Sequence, residues 1–90
     1  MVAQQHHIMQ IIDLEQHITD LLLTHFSAPN DIVEFKDEKG DGRHFFLRIV
    51  SSKFTGQSRL ARSRMVHALI DKYFGTGQIH ALRMELKEGE

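Results

Sequence analysis

The sequence predicts an α+β domain in which helices cover one face of a three-stranded mixed sheet. Three observations carry this. Two stretches place apolar residues at three- and four-residue steps, the period of a helix with one buried face. Three others alternate apolar with polar residues, or are dense in aromatic and β-branched ones, as strands are. The order is helix, strand, strand, helix, strand, and the connection before the last strand is long enough to bring the chain back parallel.

Residues 4–26 form the first helix, with Ile8, Ile11, Ile12, Ile18, Leu21, Leu22 and Phe26 at helical spacing. "SAPND" ends it, because Pro29 disfavours helix at the residue before it and Asn30 and Asp31 suit a turn. "DIVEFK" alternates and reads as the first strand. "DEKGDG" is a turn-rich connection closing on Asp41-Gly42, a hairpin signal. "RHFFLRIVS" is the second strand, with Phe45, Leu47 and Ile49 on one face and His44, Phe46, Arg48 and Val50 on the other. "SKFTGQS" is polar and has room for one helical turn. "RLARSRMVHALIDKYF" is the second long helix, buried through Val66, Leu69, Ile70 and Tyr73 and stopped by Gly75 and Gly77. The last strand spans 78–86, and alternation places His80 on the apolar side with Leu82, Met84 and Leu86. A histidine at the head of a buried face is the feature that asks for an explanation.

Ninety residues make a single domain, covering 1–90. No run of apolar residues is long enough to span a membrane, and the N-terminus lacks the pattern of a signal peptide, so a cytoplasmic location is expected. There is no cysteine, which removes disulfides, thiolate metal sites and cysteine nucleophiles together. Soft-metal chemistry has to use histidine or ligands lent by a partner. Net charge is −1, but Gly42 to Ile70 carries Arg43, Arg48, Lys53, Arg59, Arg62 and Arg64 with no Asp or Glu. Such a span attracts nucleic acid, phosphates or an acidic protein surface, or serves as a solvated face.

The motifs exclude more than they assign. "DEKGDG" imitates the start of a calcium loop, but its third ligand position is Lys39 and its twelfth is Arg48. "GQSRL" lacks the second glycine of a hydrolase elbow, and the chain is not expected to be an enzyme. The element order resembles a KH module, whose GxxG loop clamps nucleotide backbone. The matching stretch, Gly56 to Arg59, keeps one glycine, while Lys53, Arg59, Arg62 and Arg64 remain as candidate contacts to nucleic acid or to a protein partner. Of seven histidines, His6, His7, His17, His25 and His67 fall on helices and read as surface residues. His44 and His80 begin the second and third strands, and parallel pairing would bring both imidazoles to one edge of the domain, on opposite faces unless twist brings them round. A structural and a metal-ligating role for His80 stand level on the residues alone.

"HFFLRIVSSKFTGQSRLARSRMVHALIDKYFGTGQIHALRMEL" resembles the BolA family through a strand ending in V-S, then F-x-G, R-x-R followed by a valine, and I-H-A. With the preceding helix and hairpin, the likeness covers nearly the whole chain. The resemblance implies a class II KH-like fold and a non-enzymatic adaptor. It implies pairing with a monothiol glutaredoxin of the CGFS type around a bridging 2Fe-2S cluster, to which the glutaredoxin brings a cysteine and a glutathione thiolate. His80, in the I-H-A strand, is the implied ligand from this side. The family often takes a second ligand from the hairpin loop. Here "KDEKGDGR" holds neither Cys nor His, so His44, then Asp41, then no residue of this chain are the choices, His44 resembling a "GDG-x-HF" variant. "RSR" replaces the common R-H-R, and the T-P-x-x-W tail is missing. Alone, a monomer or weak homodimer is expected. Roles in transcription, with DNA as partner, compete for the same basic residues.

Overall fold

The computed structural model describes residues 2–89, with side chains from residue 14 onward. Helix α1 (Val2–His25) is followed by strands β1 (Ile32–Asp37) and β2 (His44–Ser51), a 3-10 turn (Ser52–Phe54), helix α2 (Arg59–Gly75) and strand β3 (Ala81–Glu88). The sheet order is β1-β2-β3, with β1 antiparallel and β3 parallel to the central strand. This is the α+β architecture and mixed topology that the sequence predicts.

Strand β2 alternates without a break, its Phe45, Leu47, Ile49 and Ser51 buried and the residues between them half-buried. Phe35 pairs with Leu47 across the sheet, and the Phe35 and Phe45 rings stack at 4.8 Å. Against this face α1 lays Ile18 and Leu22, with Phe26 just beyond its end, and α2 lays Val66, Ile70 and Tyr73. Leu69 and Leu21 are only partly buried. The expected apolar positions Ile8, Ile11 and Ile12, and the histidines His6 and His7, lie outside the described side chains. Phe54, from the 3-10 turn, closes the end of the core against Phe26 at 5.2 Å.

The opposite face of the sheet is held by charge. Arg48, central on β2, reaches Glu34 on β1 and Glu85 on β3, each at 3.2 Å. Arg83 lies 4.3 Å from the centre of the Phe46 ring and pairs with Glu38. Rows of opposite charge across three strands keep an open face solvated and in register.

The start of β3 departs from expectation. The strand spans Ala81–Glu88 rather than 78–86, and His80 precedes it. The amides of both His80 and Ala81 donate to the Arg43 carbonyl, at 2.9 and 3.1 Å. Two successive N–H groups aimed at one acceptor break the pleat, so alternation does not extend back to residue 80. Ile79, 1% exposed, fills the core position, and His80 is turned out to solvent.

Leu47 lies at the centre of the core with 0% exposure, and Leu60 on α2 is 59% exposed. Chemical denaturation should show Leu47→Ala costing about 2–5 kcal/mol. Leu60→Ala should fall within about 0.5 kcal/mol of the parent protein.

Candidate functional site

The site forms where β2 and β3 begin. Parallel pairing matches His44 to Ala81, so the residue before β3 lies beside the first residue of β2. The two imidazole centroids are 6.4 Å apart and their planes are inclined at 50°. An imidazole bound at about 2.1 Å holds its centroid roughly 3.2 Å from the metal, so two rings sharing one ion lie within about 6.4 Å of each other. The observed spacing sits at that outer limit. The exposed His80 ring would have to turn to close it, since the His44 ring is held against Asp41.

The hairpin loop fixes one of the two rings. Asp37, the last residue of β1, accepts the Gly42 amide at 2.7 Å. Gly40 and Gly42 both have φ of +71°, a conformation that side chains disfavour, which is why the loop uses glycine there. This geometry turns Asp41 back over the chain. One of its oxygens, Oδ1, accepts the amides of Arg43 and His44 at 2.9 and 3.1 Å. The other, Oδ2, lies 2.6 Å from His44 Nδ1. Both carboxylate oxygens are therefore engaged. The Arg43 amide, with further help from the His44 ring and amide, holds the Asp41 carboxyl down at about 2.

Among the described residues no three His, Asp or Glu side chains converge on one point. Two imidazoles are fewer donors than a metal site needs, so an ion held here would need further ligands from outside the described residues. A shallow cavity of about 200 Å³ opens beside it, lined by Glu38, Lys39, His44, Phe45, Ala81, Leu82 and Arg83.

The basic residues divide into two groups. Lys53 donates to the His25 carbonyl and caps the end of α1. Arg62 donates to the Gln57 and Leu86 carbonyls at 2.9 and 3.2 Å and to Glu88 at 3.0 Å, tying α2 to β3. These two charges serve the fold. Arg59 and Arg64 are exposed, and among the described residues neither has an ion-pair partner. Arg59 and Arg62 line a groove of about 430 Å³ between α2 and β3, floored by Met84 and Leu86. At the KH-like loop, Gly56 has φ of +75° and its amide donates to Glu88 at 3.4 Å. A carboxylate thus occupies the place where a phosphate would meet that loop.

The family model for BolA, described as BolA-like protein, matches residues 21–90. The chain belongs to the BolA-like family. It is 41% identical over 44 residues to a BolA-like protein of Dictyostelium discoideum, covering 49% of this chain and 39% of that protein. To human BolA-like protein 1 it is 34% identical over 64 residues, covering 63% of this chain and 46% of the relative. The chain spans less than half the length of these curated relatives. Among solved structures it is similar to the BolA domain of SufE1 from Arabidopsis thaliana, with a TM-score of 0.71 and 30% identity over 82% of this chain and 89% of that one. Among the described residues, no helix of this BolA-like chain is long and apolar enough to cross a membrane.

The acid behaviour of the loop follows from Asp41. Its folded value, about 2, lies below the ordinary 3.8. A depressed carboxyl contributes stability that is present above the unfolded value and is lost as pH falls through the folded one. Carboxyl ¹³C shifts should therefore give Asp41 a midpoint at about 2, with the Arg43 and His44 amides following it. A midpoint at 3.8 would show that the loop contacts do not form in solution.

Proposed function

We propose that this chain is a non-enzymatic adaptor that docks on a monothiol CGFS glutaredoxin and shares a bridging 2Fe-2S cluster with it. The observation that carries the reading is the pair of imidazoles, His44 half-buried and His80 exposed, 6.4 Å apart at the shared start of two parallel strands. His80 is the first ligand offered and His44 the second. The glutaredoxin would supply its cysteine and a glutathione thiolate, which fits a ligand set that this chain leaves incomplete. Histidine in place of thiolate raises the potential of a 2Fe-2S centre, which suits a cluster that is sensed or passed on rather than stored. The setting would be cytoplasmic iron–sulfur assembly, trafficking or iron-dependent regulation.

The chain's own contribution is positional. Backbone bonds to the Arg43 carbonyl fix the main chain of His80, while its ring faces outward and costs the core nothing. His44 stands at the rim of the hairpin loop beside it. Neither residue carries the fold, so both are available to a partner.

The competing reading is a DNA- or RNA-binding regulator acting through Arg59 and Arg64, with Lys53 and Arg62 as further contacts. It is weaker here because the last two are engaged in internal bonds and Glu88 faces the KH-like loop. Affinity for nucleic acid comes chiefly from cations free to neutralise phosphates.

Mixing the protein with a cluster-loaded CGFS glutaredoxin should change the visible spectrum. His80→Ala should abolish that change while leaving the far-ultraviolet circular dichroism intact, because the ring lies outside the core. An identical spectral change with His80→Ala would rule out His80 as a ligand. Titration with duplex DNA at two salt concentrations should show no saturable binding even at low salt. Tight, salt-dependent binding lost in Arg59→Ala/Arg64→Ala would favour the regulator instead.

A further inference from the structure

We infer that Asp41 is a positioning residue for His44, holding its ring with the proton on Nδ1 so that Nε2 is the nitrogen turned to the shared site. The inference rests on the adaptor reading for its purpose, but its structural content stands on this chain alone. It replaces the expectation that Asp41 is itself a ligand.

Both Asp41 oxygens are already engaged within the loop. Oδ1 is taken by the Arg43 and His44 amides, and Oδ2 by His44 Nδ1 at 2.6 Å. Backbone donors cannot change role, so Oδ1 is fixed as their acceptor. A carboxyl whose Oδ1 already accepts two backbone amides is a carboxylate at neutral pH, as an ordinary aspartate is, and a carboxylate can only accept. The Nδ1 atom facing it must therefore be the donor. In a neutral imidazole one nitrogen donates and the other accepts, so the lone pair belongs to Nε2. Metal-bound histidines commonly use this arrangement, in which a carboxylate or carbonyl takes the second ring N–H and sets both tautomer and orientation.

The loop is built to hold the carboxylate in this place. Asp37 clamps the Gly42 amide on one side of Asp41, and the paired strands fix His44 on the other. Glu38 adds a backbone bond from its amide to the His44 carbonyl at 2.8 Å. His80 has no such carboxylate among its hydrogen-bond partners in the described residues. The two imidazoles are thus unequal, His44 oriented in advance and His80 able to turn.

The test is Asp41→Asn, which preserves shape and changes one atom's role. The fixed amides of Arg43 and His44 require the asparagine oxygen in the Oδ1 position. The NH₂ group then faces His44 Nδ1 and donates to it, which drives the ring proton to Nε2. Long-range ¹H–¹⁵N correlation spectra of histidine-labelled protein at about pH 8, above the ordinary imidazole value, read the tautomer directly and need no cluster. Wild type should show His44 protonated on Nδ1, and Asp41→Asn should show it protonated on Nε2. The His80 signals should stay in place. Since Asp41 is exposed, the core amide spectrum should be unchanged, which separates this effect from misfolding.

With a cluster-loaded CGFS glutaredoxin, Asp41→Asn should weaken retention of the shared cluster by roughly 10–100-fold, the range typical of losing such an outer partner. Two results overturn the inference: His44 keeping the same tautomer in both proteins, or a tautomer switch with cluster retention unaltered while His80→Ala abolishes it. If neither substitution affects the cluster, the adaptor reading fails and the purpose assigned to Asp41 fails with it. The tautomer spectra alone still decide whether Asp41 sets the His44 ring.

Discussion

The parallel pairing of β2 with β3 is the constraint on which the site depends. In an antiparallel pair the starts of two strands lie at opposite ends, and His44 and His80 would be separated by the length of the sheet. The connection through the 3-10 turn and α2 returns the chain to the same end, and the register matches His44 to Ala81. Burial of Phe45, Leu47 and Ile49 on one face holds that register, because a slip of one residue would drive His44 and Arg48 into the core. The hydrophobic core thus sets the spacing of two surface imidazoles. Packing and the placing of the candidate site meet in the same ladder of hydrogen bonds.

Around that edge the polar residues divide the work. The hairpin loop is braced by Asp37 and Asp41 and permitted by two glycines at positive φ, so a six-residue connection holds one shape. The basic stretch looks like an electrostatic surface in the sequence, yet Lys53 caps α1 and Arg62 bolts α2 to the outer strand. Arg48 balances two carboxylates across the open face. Among the described residues Arg59, Arg64 and Lys72 are the exposed cations of the second helix without an ion pair, and Lys72 lies over the Tyr73 ring.

Much of the fold was legible because burial writes a period into the sequence. Helix α2 and strands β1 and β2 fall within a residue or two of their expected bounds, and Val66, Ile70 and Tyr73 are buried as their spacing implies. That His44 and His80 lie at one edge was also legible, since parallel strands start together, although alternation sets the two rings on opposite faces. The head of β3 was not. Periodicity assumes an unbroken pleat and carries no sign that two amides share the Arg43 carbonyl. The histidine that looked inward is therefore outside, and Ile79 holds the core position. The roles of Arg62 and Asp41 were hidden for a different reason: each depends on carbonyls, amides or rings positioned by the folded backbone, and residue type alone does not name those partners.

The central claim is that two imidazoles at one edge of this domain are offered to a metal carried by another protein. Histidine-selective NMR of the labelled chain with apo and then cluster-loaded CGFS glutaredoxin tests it most directly. The account predicts that paramagnetic broadening on loading is confined to the His44 and His80 rings and their immediate neighbours, while His25 and His67 stay sharp. Sharp His44 and His80 signals in a complex that demonstrably holds the cluster would contradict it.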